Sequence, residues 1–171
     1  MPTATRSPDT AIRPLAEADL PALKAAIGAT GLFPPELLDG MVAGHLAGET
    51  AGEALWLTAT DAAGTPIGLA YAAAERMTRG TWNLLLIAVH PDRQQGGVGT
   101  ALLRRVEALL SAGGVRVLLV ETSGLAAFEP VRGFYRRRGF AEEGRIREFY
   151  DAGEDKVIFR KALPAGAPRP M

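Results

Sequence analysis

Apolar positions recur along this chain with two different periods, and their order predicts the elements. Ala11 to Pro14 reads as a short strand. Asp19 then offers a helix N-cap, and Leu20, Leu23 and Ile27 follow at helical spacing. Gly28 and Gly31 end that helix. Pro34 and Pro35 suit the start of a second, whose stripe is Leu37, Leu38, Met41, Val42 and Leu46. Leu55–Thr60 and Ile67–Ala74 are predicted strands joined by a turn over Asp61–Gly64, hence a hairpin. Trp82–Val89 is a nearly unbroken apolar run, the pattern of a strand buried on both faces. Val98–Leu110 carries Leu102, Leu103, Val106, Leu109 and Leu110 along one helical side, and Gly113 and Gly114 stop it. Val115–Val120 reads as a further buried strand, Val131–Arg138 as a short helix closed by Gly139. Ile146–Tyr150 and Lys156–Leu163 make a last hairpin around Ala152 and Gly153.

The order is therefore β-α-α-β-β-β-α-β-α-β-β. It predicts an α+β fold: a mixed, mostly antiparallel sheet with a parallel β-α-β crossover over Trp82–Val120. Residues 10–163 are expected to form a single domain. Residues 1–9 and 164–171, polar or proline-bearing, are expected to be flexible tails.

Composition narrows the function. Lys plus Arg and Asp plus Glu each number 19, so the formal net charge is zero. Nucleic-acid binding needs a surplus of phosphate-neutralising charge, so it is not expected. The chain has no cysteine and only two histidines, His45 and His90. Disulfides, thiolate metal sites and a cysteine nucleophile are excluded, and no metal is expected. No apolar run reaches the roughly 20 residues of a membrane span, and Met1–Thr10 lacks a signal-peptide core, so a cytoplasmic location is expected.

The segment "IAVHPDRQQGGVGTALL" concentrates the candidate chemistry. A buried strand ends at Val89, glycines follow, and an amphipathic helix starts at Val98. Glycines bring backbone N–H groups close to a ligand, and a helix start adds unpaired donors and a positive dipole end. The combination suits an anion, most naturally phosphate. The alternative is a plain glycine-rich turn. GxxxxGK[ST] is absent, since no Lys follows these glycines, and GxGxxG is absent because Gly97-Val98-Gly99 runs into Thr100-Ala101-Leu102.

Gln94-x-x-Gly97-x-Gly99 resembles the pyrophosphate-binding motif of the GCN5-related N-acetyltransferase (GNAT) family. The resemblance extends from "IRPLAEADLPAL" through "FYRRRGF" to "DKVIFRKAL". It implies the GNAT fold and an enzyme that moves an acetyl group from acetyl-CoA, a co-substrate, directly to an amine. Gln94, Gln95, Gly96, Gly97, Val98, Gly99 and Thr100 would wrap the CoA pyrophosphate. The backbone of Ile87, Ala88 and Val89 would run beside the pantetheine like an added strand. Gln94 stands where Arg is commoner. Gly96 replaces a frequent Lys or Arg, leaving Arg93 to supply part of that charge.

By the same resemblance Tyr135 would lie near the CoA sulfur as general acid, facing a gap between the strands at Trp82–Val89 and Val115–Val120; the alternative is a core aromatic. Glu121, at the end of a strand, is the candidate base, with a loop-capping carboxylate as its alternative role and Glu75, Glu129 and Glu148 as weaker substitutes. The stretch Glu121–Pro130 lacks the Asn that many members place before the last helix, with Ser123 or Thr122 as stand-ins. Arg132, Arg136, Arg137 and Arg138 read first as a solvated helix face, with the CoA 3′-phosphate as the alternative. Small-molecule and protein amines both remain acceptors, and a homodimer is possible. A silent acyl-CoA sensor, or use of another acyl-CoA, is the rival reading.

Overall fold

The computed structural model describes residues 10–166. The strands are β1 (Ala11–Pro14), β2 (Ala54–Thr60), β3 (Pro66–Ala74), β4 (Thr81–Val89), β5 (Val117–Ser123), β6 (Ala141–Asp151) and β7 (Glu154–Ala162). The helices are α1 (Leu20–Thr30), α2 (Leu37–Leu46), α3 (Val98–Ala112) and α4 (Glu129–Arg137). The sheet runs β1-β2-β3-β4-β5-β7-β6. It is mixed and mostly antiparallel, with β4 and β5 parallel, as the predicted β4–α3–β5 crossover requires. The chain divides into two compact units, residues up to 72 with 86–108, and residues 73–85 with those from 109 onward.

In the first unit Leu23, Ile27, Leu38, Val42, Trp56, Leu69 and Ala88 form one buried cluster. Trp56 stacks on Tyr71 with ring centroids 4.0 Å apart. The helical stripe of α2 is only half used: Leu38 and Val42 are buried, while Leu37, Met41 and Leu46 are exposed. On α3, Leu102, Leu103, Val106 and Leu110 are buried and define the inward face.

Asp19 departs from the predicted role. It precedes α1, but its side chain makes no cap hydrogen bond there. It is 3% exposed, and its carboxylate accepts both Arg13 Nη1 and Nη2 at 2.7 Å, Ala16 N at 2.9 Å and Thr58 Oγ1 at 2.9 Å. Partners on β1 and β2 have outcompeted the local N–H groups of the helix. Burial alone would raise the pKa of Asp19, but the Arg13, Ala16 and Thr58 hydrogen bonds outweigh it and hold it below the ordinary value. A depressed folded pKa stabilises the fold above the unfolded carboxyl value of about 4 and loses that contribution as pH falls through the folded value. Asp19→Asn is expected to cost about 2 kcal/mol at pH 7. Urea unfolding should show the gap between parent and variant narrowing below pH 4; a constant gap would mean that the ionised form is not what matters.

In the second unit Leu118, Val120, Phe140, Val157 and Phe159 are buried. The parallel register runs from Thr81↔Val117 to Leu84↔Val120, four pairs. β5 then stays paired with β7 through Ser123↔Lys156. β4 is less buried than its apolar run implies, since Leu85 is 52% exposed. β6 begins at Ala141, five residues before the predicted start, and is exposed along nearly all its length. Of the expected tails, residues 1–9 and 167–171 lie outside the described residues. Pro164 O accepts a hydrogen bond from Ser111 Oγ at 2.5 Å.

Candidate active site

The glycine-bearing turn is built by three consecutive pieces of backbone in the first unit. β4 ends at Val89, Pro91–Gly96 form a 3-10 turn, and α3 starts at Val98. His90 serves the turn: its Nδ1 accepts from Asp92 N at 3.2 Å. Gly97 links the turn to the helix at φ 77°, ψ 12°, a left-handed conformation that side chains other than glycine adopt with strain. Ala101 N donates to Gly97 O at 3.0 Å, so the N–H groups of Val98 and Gly99 precede the first helical bond. They stand at the positive end of a 15-residue helix.

Gln94 is exposed and folds back, its Nε2 donating to Val89 O at 3.1 Å. It thereby ties the turn to the end of β4. Gln95, Gly96 and Val98 line a cleft of about 450 Å³ together with Asp61 and Ile67. Arg93 also lines that cleft, and its Nη2 pairs with Asp61 Oδ2 at 3.2 Å, so the charge assigned to Arg93 is partly engaged. Ala88 and Val89 are buried, and Ile87 is half-buried. Gly68 on β3 is a requirement that the sequence did not reveal. A Cβ there would sit 2.9 Å from Ala88 O and 3.4 Å from Leu102 Cδ1, so only glycine lets β3 approach the end of β4 this closely.

Tyr135 and Glu121 belong to the second unit. Tyr135 is 4% exposed. Its ring packs edge-on against Phe134 at 5.2 Å and Phe140 at 5.5 Å, and Phe159 lies 6.3 Å away. Burial pushes the phenol pKa well above its ordinary value, and the nearby Arg138 guanidinium offsets only part of that. Tyr135 therefore keeps its proton throughout the neutral range. Glu121 does not cap the following loop. Its Oε2 pairs with Lys156 Nζ at 3.0 Å, and Ser123 Oγ takes the capping part by accepting Leu125 N at 3.2 Å.

The other acidic candidates are engaged elsewhere. Glu75 Oε1 accepts Asn83 Nδ2 at 3.0 Å, while Asn83 Oδ1 is buried without a hydrogen-bond partner. Glu129 pairs with both Arg132 and Arg136. Glu148 Oε1 accepts Gly153 N at 3.2 Å. Arg132 corrects the reading of a wholly solvated basic face. It is buried, and its Nη1 donates to Ser123 O at 2.6 Å and Leu125 O at 2.9 Å, pinning the chain between β5 and α4. The spacing Glu129–Arg132 (i, i+3) was a local signal of this pair. Nothing local signalled the two carbonyl partners. Among the described residues, no helix is long and apolar enough to cross a membrane, and no group of three or more His, Asp or Glu is placed to hold a metal ion.

Residues 51–142, more than half of the chain, match the model of the acetyltransferase (GNAT) domain, and the chain belongs to that family. A solved structure from Desulfovibrio desulfuricans, assigned to the same family, is 33% identical with a TM-score of 0.84, covering 91% of this chain and 99% of that one. The ribosomal-protein-S18-alanine N-acetyltransferase of Escherichia coli is 25% identical with a TM-score of 0.72, covering 95% and 98%. An amino-acid acetyltransferase of Azotobacter vinelandii is 35% identical over 86 residues, 47% of this chain. The match spans only 18% of that relative's length.

Proposed function

We propose that the protein acetylates an amine, taking the acetyl group from acetyl-CoA by direct attack without an acyl-enzyme intermediate. The observation that carries this reading is the turn at Gly97: a left-handed glycine between the Pro91–Gly96 turn and a 15-residue helix, following a strand whose last two residues, Ala88 and Val89, are buried, inside a matched GNAT domain. The N–H groups of Val98 and Gly99 hold the pyrophosphate through charge-assisted hydrogen bonds. The Ile87–Val89 backbone positions the pantetheine arm. Acetyl-CoA supplies an activated acyl group, and the chain supplies proton handling and orientation. Glu121 takes the proton from the attacking amine, directly or through water. Tyr135 delivers one to the departing sulfur as the C–S bond breaks. The absence of cysteine agrees with direct transfer.

The test is turnover of acetyl-CoA against a panel of small amines, amino acids, polyamines and peptide N-termini, reading free CoA thiol. Thiol release should depend on one amine class. CoA binding with no amine-dependent release would instead make the chain an acyl-CoA sensor. With a responsive amine in hand, Glu121→Gln is expected to lower kcat/KM about 100-fold with CoA affinity unchanged. An undiminished kcat/KM would move the base elsewhere.

A further inference from the structure

Lys156 lies opposite Ser123 in the β5–β7 ladder, diagonal to Glu121. Its Nζ is 3.0 Å from Glu121 Oε2 and 3.6 Å from the centroid of the Phe149 ring. One ammonium is thus clasped between a carboxylate and an aromatic face, two groups that each attract a cation. The Lys156 side chain is only 11% exposed, while Phe149, its cover, is 50% exposed.

The backbone holds Phe149 in place by an irregular route. The β6–β7 register shifts between Ile146 and Asp151, and within that bulge Glu148 adopts φ 51°, a region sparsely populated by residues other than glycine. Two hydrogen bonds fix it there, Glu148 N to Asp155 Oδ1 at 2.9 Å and Gly153 N to Glu148 Oε1 at 3.2 Å. Bulges re-aim side chains, and this one turns an exposed aromatic onto the lysine. Tyr150 stands next to Phe149, its rings 5.1 Å apart and edge-on. Burial, then the charges of Glu121 and Glu154, raise the pKa of its phenol, which places two carboxylates in its field.

An ordinary surface ion pair needs neither an aromatic cover nor a strained bulge. We propose that Glu121 and Phe149 form a recognition cradle for a cationic amine, and that Lys156 is its resident placeholder, displaced when an alkylammonium enters. The long, flexible lysine stem permits that withdrawal. The cradle rests on the acetyl-transfer reading for its use, since it brings the acceptor nitrogen to the candidate base, but its existence is decided by binding alone.

The probe is n-butylammonium chloride, titrated into the full chain while the aromatic ring signals are followed by NMR. n-Butanol in matched sodium chloride serves as the neutral isostere. Lys156→Met keeps the stem and removes the charge. It should bind butylammonium about tenfold more tightly than the parent, with n-butanol binding alike in both. Phe149→Leu, at a half-exposed position that tolerates change, should weaken butylammonium binding about threefold in the parent and abolish the gain in the double variant. No gain in Lys156→Met, a gain shared by n-butanol, or indifference to Phe149→Leu each leaves only a structural ion pair and overturns the cradle. Should Lys156→Met fail to fold, the Phe149→Leu titration decides by itself. Amine-dependent turnover with no cradle binding removes this inference alone, whereas cradle binding with no turnover on any amine removes only the acetyl-transfer reading.

Discussion

Replacing Tyr135 by Phe is expected to lower kcat by about 10²–10⁴-fold while the Kd for acetyl-CoA changes little. The substitution removes one hydroxyl and keeps the ring. Its edge-on contacts with Phe134 and Phe140 survive, so the melting temperature should stay within a few degrees. The direction of the pKa shift adds a second readout. A phenol held above its ordinary value by burial keeps its proton up to and beyond pH 10, so the parent's rate should show no falling limb below that pH from loss of this acid. The same shift links to stability. A raised folded pKa favours the folded state below the unfolded value of about 10, and the advantage is lost as pH rises toward the folded value. The Phe variant should therefore be less sensitive to alkaline unfolding above pH 10 than the parent. Single-turnover rates must be compared, because slow CoA release would hide a change in the chemical step. A Phe variant with parental single-turnover rate would make Tyr135 a packing residue of the Phe134–Phe140–Phe159 group.

Where the sequence was legible, the signal was local. Ala11–Pro14, the Asp61 turn and the start of α3 at Val98 fall where the pattern put them, because turn residues and period-2 or period-3.6 spacing are properties of neighbouring residues. The glycine turn was legible for the same reason. Partners distant in sequence were not. Asp19 carries every local mark of an N-cap, yet Arg13 and Thr58 claim its carboxylate. Arg132 reads as one charge among four on a short helix, yet it is buried to hold two loop carbonyls. Leu85 sits in an apolar run, and only its place in the sheet shows that it faces outward. The pattern predicts β6 only from Ile146, since "AEEGR" before it has no strand-like alternation; pairing with β7 extends it to Ala141. The Lys156–Phe149 contact depends on a bulge at Glu148, for which "IREFYDAGED" offers no turn signal at that position.

Gly97→Glu is expected to abolish CoA binding, by at least 100-fold in Kd, in a chain that still folds. The structure separates the two costs that such a change combines. A Cβ at Gly97 would meet nothing within 4 Å, so no steric clash inside the protein is added. The cost to folding is conformational, about 1–2 kcal/mol for a non-glycine residue at φ 77°. The cost to binding is electrostatic: a carboxylate about 5 Å from a phosphate, at an effective dielectric near 20, opposes it by about 3 kcal/mol per charge pair. Gly97→Asn and Gly97→Lys divide these terms. Asn tolerates the left-handed region and carries no charge, so it should lose only a few-fold in affinity. Lys carries the same backbone strain as Glu with the opposite sign of charge, so it should bind far better than the Glu variant. Calorimetry with CoA across the three, together with their melting temperatures, gives the answer. Equal loss in the Glu and Lys variants would mean that any side chain at Gly97 blocks the ligand by bulk. Undiminished binding in Gly97→Glu would place the pyrophosphate away from this turn and remove the main support for the acetyl-CoA site.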